Sequence, residues 1–185
     1  MDKGNEVMSF SRKSDINSAI DEIERLLNSG IFTQEGSKTP FFKASFIHVM
    51  ILLRELMYNS EKYANKRIDF KDDVIPLIMD KKNQSVHDIT DLIKYVRDSM
   101  CHTDIPHHYF TNEIKATFNV VFGKGVLISY GEDSVGSDYE DDICFFFGKE
   151  RIYLNRHIIR AFFEARAALL PLTSFPIWDR ENPTY

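Results

Sequence analysis

The sequence predicts a mainly α fold, a helical bundle with a pair of β-hairpins inserted before its last helix. Three observations predict it. Apolar residues recur at helical spacing up to about residue 102; the period shortens toward two after about residue 116; and two short glycine-containing turns, at 123–125 and 148–150, each stand between apolar runs. The chain of 185 residues reads as a single domain, 1–185, with the β-insert at about 117–154 and a tail at about 171–185. The insert makes the expected architecture α+β in detail, on a predominantly helical frame.

The elements follow in order. Ser14 and Asp15 are placed to cap a first helix whose apolar face is Ile16, Ile20, Ile23, Leu26 and Leu27, with Gly30 positioned to stop it. A second helix begins after Pro40. Its Phe41, Phe42, Phe46, Ile47, Met50, Leu53, Leu56 and Met57 are too many for one narrow stripe, so it is expected to be buried on several sides and to run toward Lys66. Pro76 interrupts any long helix between Ile68 and Asp80. The third helix opens on Ser85 and Asp88, spaced as a capping box, and carries Val86, Ile89, Leu92, Ile93, Val96 and Met100 on its apolar face. Pro106 pushes Ile105 out of the helical region, so this helix ends near His102.

Beyond it, Thr117 to Phe122 and Val126 to Tyr130 flank Gly123-Lys124-Gly125 as one expected hairpin. Ile143 to Phe147 and Arg151 to Leu154 flank Gly148-Lys149-Glu150 as the other. An acidic loop joins them. A last helix is expected from Asn155 to about Leu170, ended by Pro171, with the tail lying along the surface and anchored by Trp178.

Composition narrows the function classes. With 43% hydrophobic residues and 15 phenylalanines, the chain has the material for a filled core and is not a disordered polymer. It contains no run of about 18 uncharged apolar residues, so no membrane span is expected. The start, MDKGNEVMSFSRKSD, lacks the apolar stretch of a signal peptide. Two cysteines, Cys101 and Cys144, are too few for a disulfide framework and suit thiols in a reducing cytoplasm. The formal net charge is −5, which taken alone disfavours a nucleic-acid partner. The stretch Gly131 to Asp142 holds six acidic residues and no Lys or Arg, and without it the charge rises to +1. A face that meets an anionic partner is therefore compatible with the rest of the chain.

The third helix closes on Arg97-Asp98-Ser99-Met100-Cys101-His102. An arginine, a polar residue directly after it and a histidine four intervening residues on, at the end of an amphipathic helix within a bundle, resembles the HEPN superfamily. A second arginine–histidine spacing, Arg151 to His157, starts in an expected strand and has Ile152 where a polar residue should stand, so context selects Arg97 and His102. The resemblance implies a ribonuclease that pairs two such helices in a homodimer and cleaves RNA with neither metal nor cofactor. The residue types suit that chemistry. Histidine titrates near neutrality and serves as general base or acid toward the 2′-hydroxyl. Arginine holds a permanent charge and a fixed fork of donors against phosphate oxygens. The implied products are a 2′,3′-cyclic phosphate and a 5′-hydroxyl, with Asp98 orienting or polarising its neighbours.

Helical geometry constrains this site. Five positions at about 100° each separate Arg97 from His102 by roughly 140°, so either His102 lies on an unwinding turn or two chains assemble the site. The resemblance further implies a toxin or defence setting, with an antitoxin or regulatory protein as a further partner. The alternative is a non-catalytic HEPN-like module that binds a nucleotide or a partner enzyme, with Arg97 structural.

Other constellations are weaker. Cys101, His102, Asp104, His107 and His108 have metal-binding side chains without a recognised ligand spacing, and no metal is expected; His107 and His108 are instead candidates for phosphate contact. Arg151, Arg156, His157 and Arg160, with Lys149, concentrate positive charge as candidate RNA-backbone contacts, Arg160 also being spaced to pair with Glu164. The acidic loop lacks the calcium-loop pattern, and its Gly131 and Gly136 are followed by Ser137-Asp138 where a phosphate loop requires lysine. Ser99 has no nucleophile-elbow glycines.

Overall fold

A computed structural model of the chain describes residues 8–71, 86–101, 117–131, 133–147 and 150–174. Helix α1, Phe10–Asn28, starts at Ser9, whose hydroxyl accepts the Arg12 amide. It therefore begins ahead of Ser14 and Asp15, which are exposed inside the helix. Gly30 follows its end at φ +75°, a conformation that glycine enters without steric cost. Helix α2, Phe42–Ala64, buries Phe42, Phe46, Val49, Met50, Leu53, Leu56 and Met57 and packs against three other helices. It is stopped by Asn65 in the left-handed region, with the Asn65 amide on the Ser60 carbonyl.

Helix α3, Ile89–Cys101, is capped by Asp88 itself, whose carboxylate accepts the Asp91 amide at 2.7 Å. Ser85, expected to share that role, lies outside the described residues. The same end of α3 is tied to the chain leaving α2. The Arg67 guanidinium donates twice to Asp88 (2.7 and 3.0 Å), to Asp91 (2.6 Å) and to Glu61 (2.9 Å), while the Ile68 amide donates to Thr90 Oγ1. Three carboxylates around one guanidinium hold its charge more firmly than usual.

The strands are β1 Asn119–Phe122, β2 Gly125–Tyr130, β3 Asp133–Ser137, β4 Ile143–Phe147 and β5 Glu150–Tyr153. They form two antiparallel sheets, one ordered β1-β4-β5 and one β2-β3. With these five strands the chain is α+β, and the expectation of a mainly α fold is corrected. The second expected hairpin exists as β4–β5. The first does not. After Gly123 (φ +73°) the chain leaves β1, which pairs with β4 from Asn119 opposite Phe146 to Phe122 opposite Ile143, and β2 pairs instead with β3, inside the stretch read as an acidic loop. The reason is packing. Strand β4 is apolar at every position and buried at all but its first, so it needs a neighbour on both edges as well as helices on its face.

That face is aromatic. Phe145 stacks on Phe46 with ring centroids 4.2 Å apart, and Phe42, Phe118, Phe147 and Phe32 close around the pair. Six of the 15 phenylalanines of the sequence meet here, between α2 and the three-stranded sheet.

In the two-stranded sheet, Gly136 lies against the backbone of β2. A methyl group at that position would stand 2.1 Å from the Gly125 carbonyl oxygen and 2.9 Å from Val126 Cα. The Gly136→Ala variant is expected to break the β2–β3 pairing and to cost about 1–3 kcal/mol in chemical denaturation. An unchanged midpoint would show that the two strands are free to part.

After β5 the chain makes a wide π-helical turn, Leu154–Ile159, before helix α4, Arg160–Thr173. Pro171 lies inside α4 and does not end it. It comes in the last turn, where a missing amide removes a single helical bond. Burial of Leu169 and Thr173 carries the helix past it, and Asn17 donates to the Thr173 carbonyl. The tail beyond 174, Trp178 included, lies outside the described residues.

Candidate functional site

Two regions bear on function, the end of α3 and the junction of β5 with the last helix. At the first, Arg97 and Asp98 are part-exposed on the last turns of α3, while Val96 and Ser99 turn inward. Arg97 Nη1 donates to Asp98 Oδ1 at 2.8 Å, and the two side chains are 40% and 43% exposed. Adjacent residues on a helix do not face each other, so these two side chains reach around the axis toward one another to make the contact. Its Nε is buried and has no hydrogen-bond acceptor among the described residues. The Asp98 carboxylate stabilises the cation further, aided by the Cys101 side chain one turn on. His102, Asp104, His107 and His108 lie outside the described residues. Among the described residues no group of three His, Cys, Asp or Glu side chains is placed to hold a metal ion.

At the second region the expected basic surface is differently employed. Arg156 donates to Asp142 at 3.0 Å and pairs with Asp141 at 2.9 Å, and its guanidinium lies 3.7 Å from the ring centroid of Tyr139. Asp142 is fully buried. It accepts the amides of Ile143, Asn155 and Arg156 as well as the arginine, and so caps the start of the π-helical turn. Arg151, only 13% exposed, bridges the two sheets by donating to the Gly136 carbonyl and pairing with Asp138 at 2.7 Å. Arg160 approaches Glu164 at 3.6 Å and donates to the Asp69 carbonyl. His157 is wholly buried. Its Nδ1 accepts the Tyr153 amide and its ring packs edge-on against Phe70 and Tyr153. The acceptor role fixes Nδ1 as the unprotonated nitrogen.

These contacts give the acidic stretch a structural job, which sequence reasoning missed. Asp138, Asp141 and Asp142 neutralise Arg151 and Arg156 across the β-insert. The visible signal was a balance of charge between two segments about 15 residues apart, and nothing local said that they meet.

The two thiols are separated by burial. Cys101 is exposed and Cys144 is buried, where desolvation pushes its thiol well above the ordinary range. Burial also pushes the Tyr153 hydroxyl, which accepts the Asp138 amide, up to about 12. In the native protein at pH 8, a thiol reagent is expected to label Cys101 promptly and Cys144 only after denaturation. Labelling of both at equal rates would contradict the burial of β4. Each group also loses its proton in the unfolded chain before it does in the folded one. Stability is therefore expected to decline as pH rises past their ordinary values of 9.0 and 10.0.

Comparison of the chain with protein-family models, with characterised proteins and with solved structures returned no match. No helix among the described residues is long and apolar enough to cross a membrane.

Proposed function

We propose that the protein is a metal-independent endoribonuclease whose site is built from Arg97 and His102 and completed across a homodimer. One observation carries this reading: the ion pair between Arg97 and Asp98. Asp98 and position 102 are four residues apart in sequence, and on a helix that spacing puts them about 40° from each other on one face. A guanidinium held against Asp98 lies on the Asp98 side of position 97, which is the side on which helical spacing would put His102. In the proposed reaction His102 accepts or returns the proton of the 2′-hydroxyl. Arg97 holds the phosphate oxygens as negative charge grows on them, and Asp98 keeps the guanidinium on that face before RNA arrives. The products are a 2′,3′-cyclic phosphate and a 5′-hydroxyl. RNA incubated with the protein in excess EDTA is expected to be cut by the wild type and not by Arg97→Ala or His102→Ala. Equal cutting by all three would rule out the assigned roles.

A second reading is favoured by the internal pairing of Arg151 and Arg156. With those charges engaged by Asp138, Asp141 and Asp142, the β-insert offers little to an RNA backbone, as suits a non-catalytic module that binds a partner protein. That reading expects no RNA loss at high protein concentration and recovery of one partner in stoichiometric amount.

A further inference from the structure

We infer that Asp98 is an internal competitor for the phosphate group that Arg97 is built to hold, so that anion binding requires this carboxylate to give way. The inference rests on the proposed function in taking phosphate as the ligand of Arg97. Arginine commonly grips a phosphate through two parallel N–H donors along one edge of the guanidinium. The edge that includes Nε is closed here, because Nε is buried. The remaining edge runs through Nη1 and Nη2, and Nη1 is the atom that Asp98 already holds at 2.8 Å. Carboxylate and phosphate therefore contend for one donor edge.

Charge leads to the same conclusion. Arg97 and Asp98 carry opposite charges that cancel at 2.8 Å. An anion approaching the last turn of α3 meets no net attraction from this pair until the carboxylate is released. The pair is also easily opened. Both side chains are about 40% exposed, and an exposed ion pair is weak enough for a ligand with a stronger claim on the guanidinium to displace it. The contact thus holds Arg97 in a defined direction at rest and sets a modest threshold for occupancy.

The test titrates the full-length protein with inorganic phosphate while the Arg97 side-chain resonances are followed by NMR. Asp98→Asn keeps the shape and removes the charge, and is expected to bind phosphate about 2- to 5-fold more tightly than wild type, the scale of an exposed pair. The same substitution in an Arg97→Ala background, followed through the amides of residues 94–101, is expected to give no gain. An equal gain in both backgrounds would show general repulsion and overturn the inference. So would an Asp98→Asn variant with unchanged or weaker binding, or phosphate that perturbs Arg97 in neither wild type nor Asp98→Asn. The two levels fail separately. A protein that cuts RNA but shows no tighter phosphate binding in Asp98→Asn loses only this inference. One that shows the Arg97-dependent gain but never cuts RNA loses only the nuclease.

Discussion

Arg97→Ala is expected to lower the rate of RNA cleavage by about 10²- to 10³-fold, the usual cost of deleting one preorganised donor to developing charge. The loss should fall on kcat more than on KM. In the proposed reaction Arg97 meets a phosphate that carries one charge in the ground state and more in the transition state, so most of its contribution would be realised late. Arg97→Lys is expected to recover only part of the rate, because an ammonium keeps the charge but cannot present two parallel donors. His102→Ala should cost about 10²- to 10⁴-fold through loss of proton transfer. Single-turnover rates on one defined RNA, in excess EDTA, measure all three. A loss confined to KM would instead make Arg97 a binding residue.

Asp142→Ala is expected to destabilise the fold by about 3–5 kcal/mol, the cost of leaving three backbone amides without their buried acceptor. The carboxylate is inaccessible and accepts three backbone amides and the Arg156 guanidinium. Its removal strands the three amides at the point where β4 meets the last helix and leaves the Arg156 guanidinium to Asp141. Asp142→Asn keeps one carbonyl acceptor and should cost less. Urea denaturation of the three proteins gives the comparison, with a loss below about 1 kcal/mol for Asp142→Ala contradicting the role of this side chain as the anchor of the insert.

The legible parts of the fold were those governed by local rules. Helices α2 and α3 follow from apolar spacing, and β4–β5 from two apolar runs around a short turn. Helix ends were less readable: the cap of α1 is Ser9, and the helix runs straight through Ser14 and Asp15, which the sequence had offered as its start. Pro171 misled because a helix breaker in the interior is a tolerable residue in the last turn. The first hairpin misled for a different reason. Gly123 does turn the chain, but partner choice depends on the unsatisfied edge of β4, a strand more than 20 residues away. Of the candidate site, Arg97 and Asp98 were chosen from their pattern and stand in the last described turns of α3. His157 and Arg151 were chosen for charge and are interior or internally paired, and no local pattern tells a basic residue that serves the fold from one that serves a ligand.

The central claim is that one guanidinium and one imidazole act on the same phosphate in the same step, and comparing single and double variants tests it most directly. In excess EDTA, cleavage by Arg97→Ala/His102→Ala is expected to be about as slow as by the worse single variant, because parts of one machine do not fail independently. Losses that multiply, or a double variant that cuts RNA as fast as wild type, would contradict it.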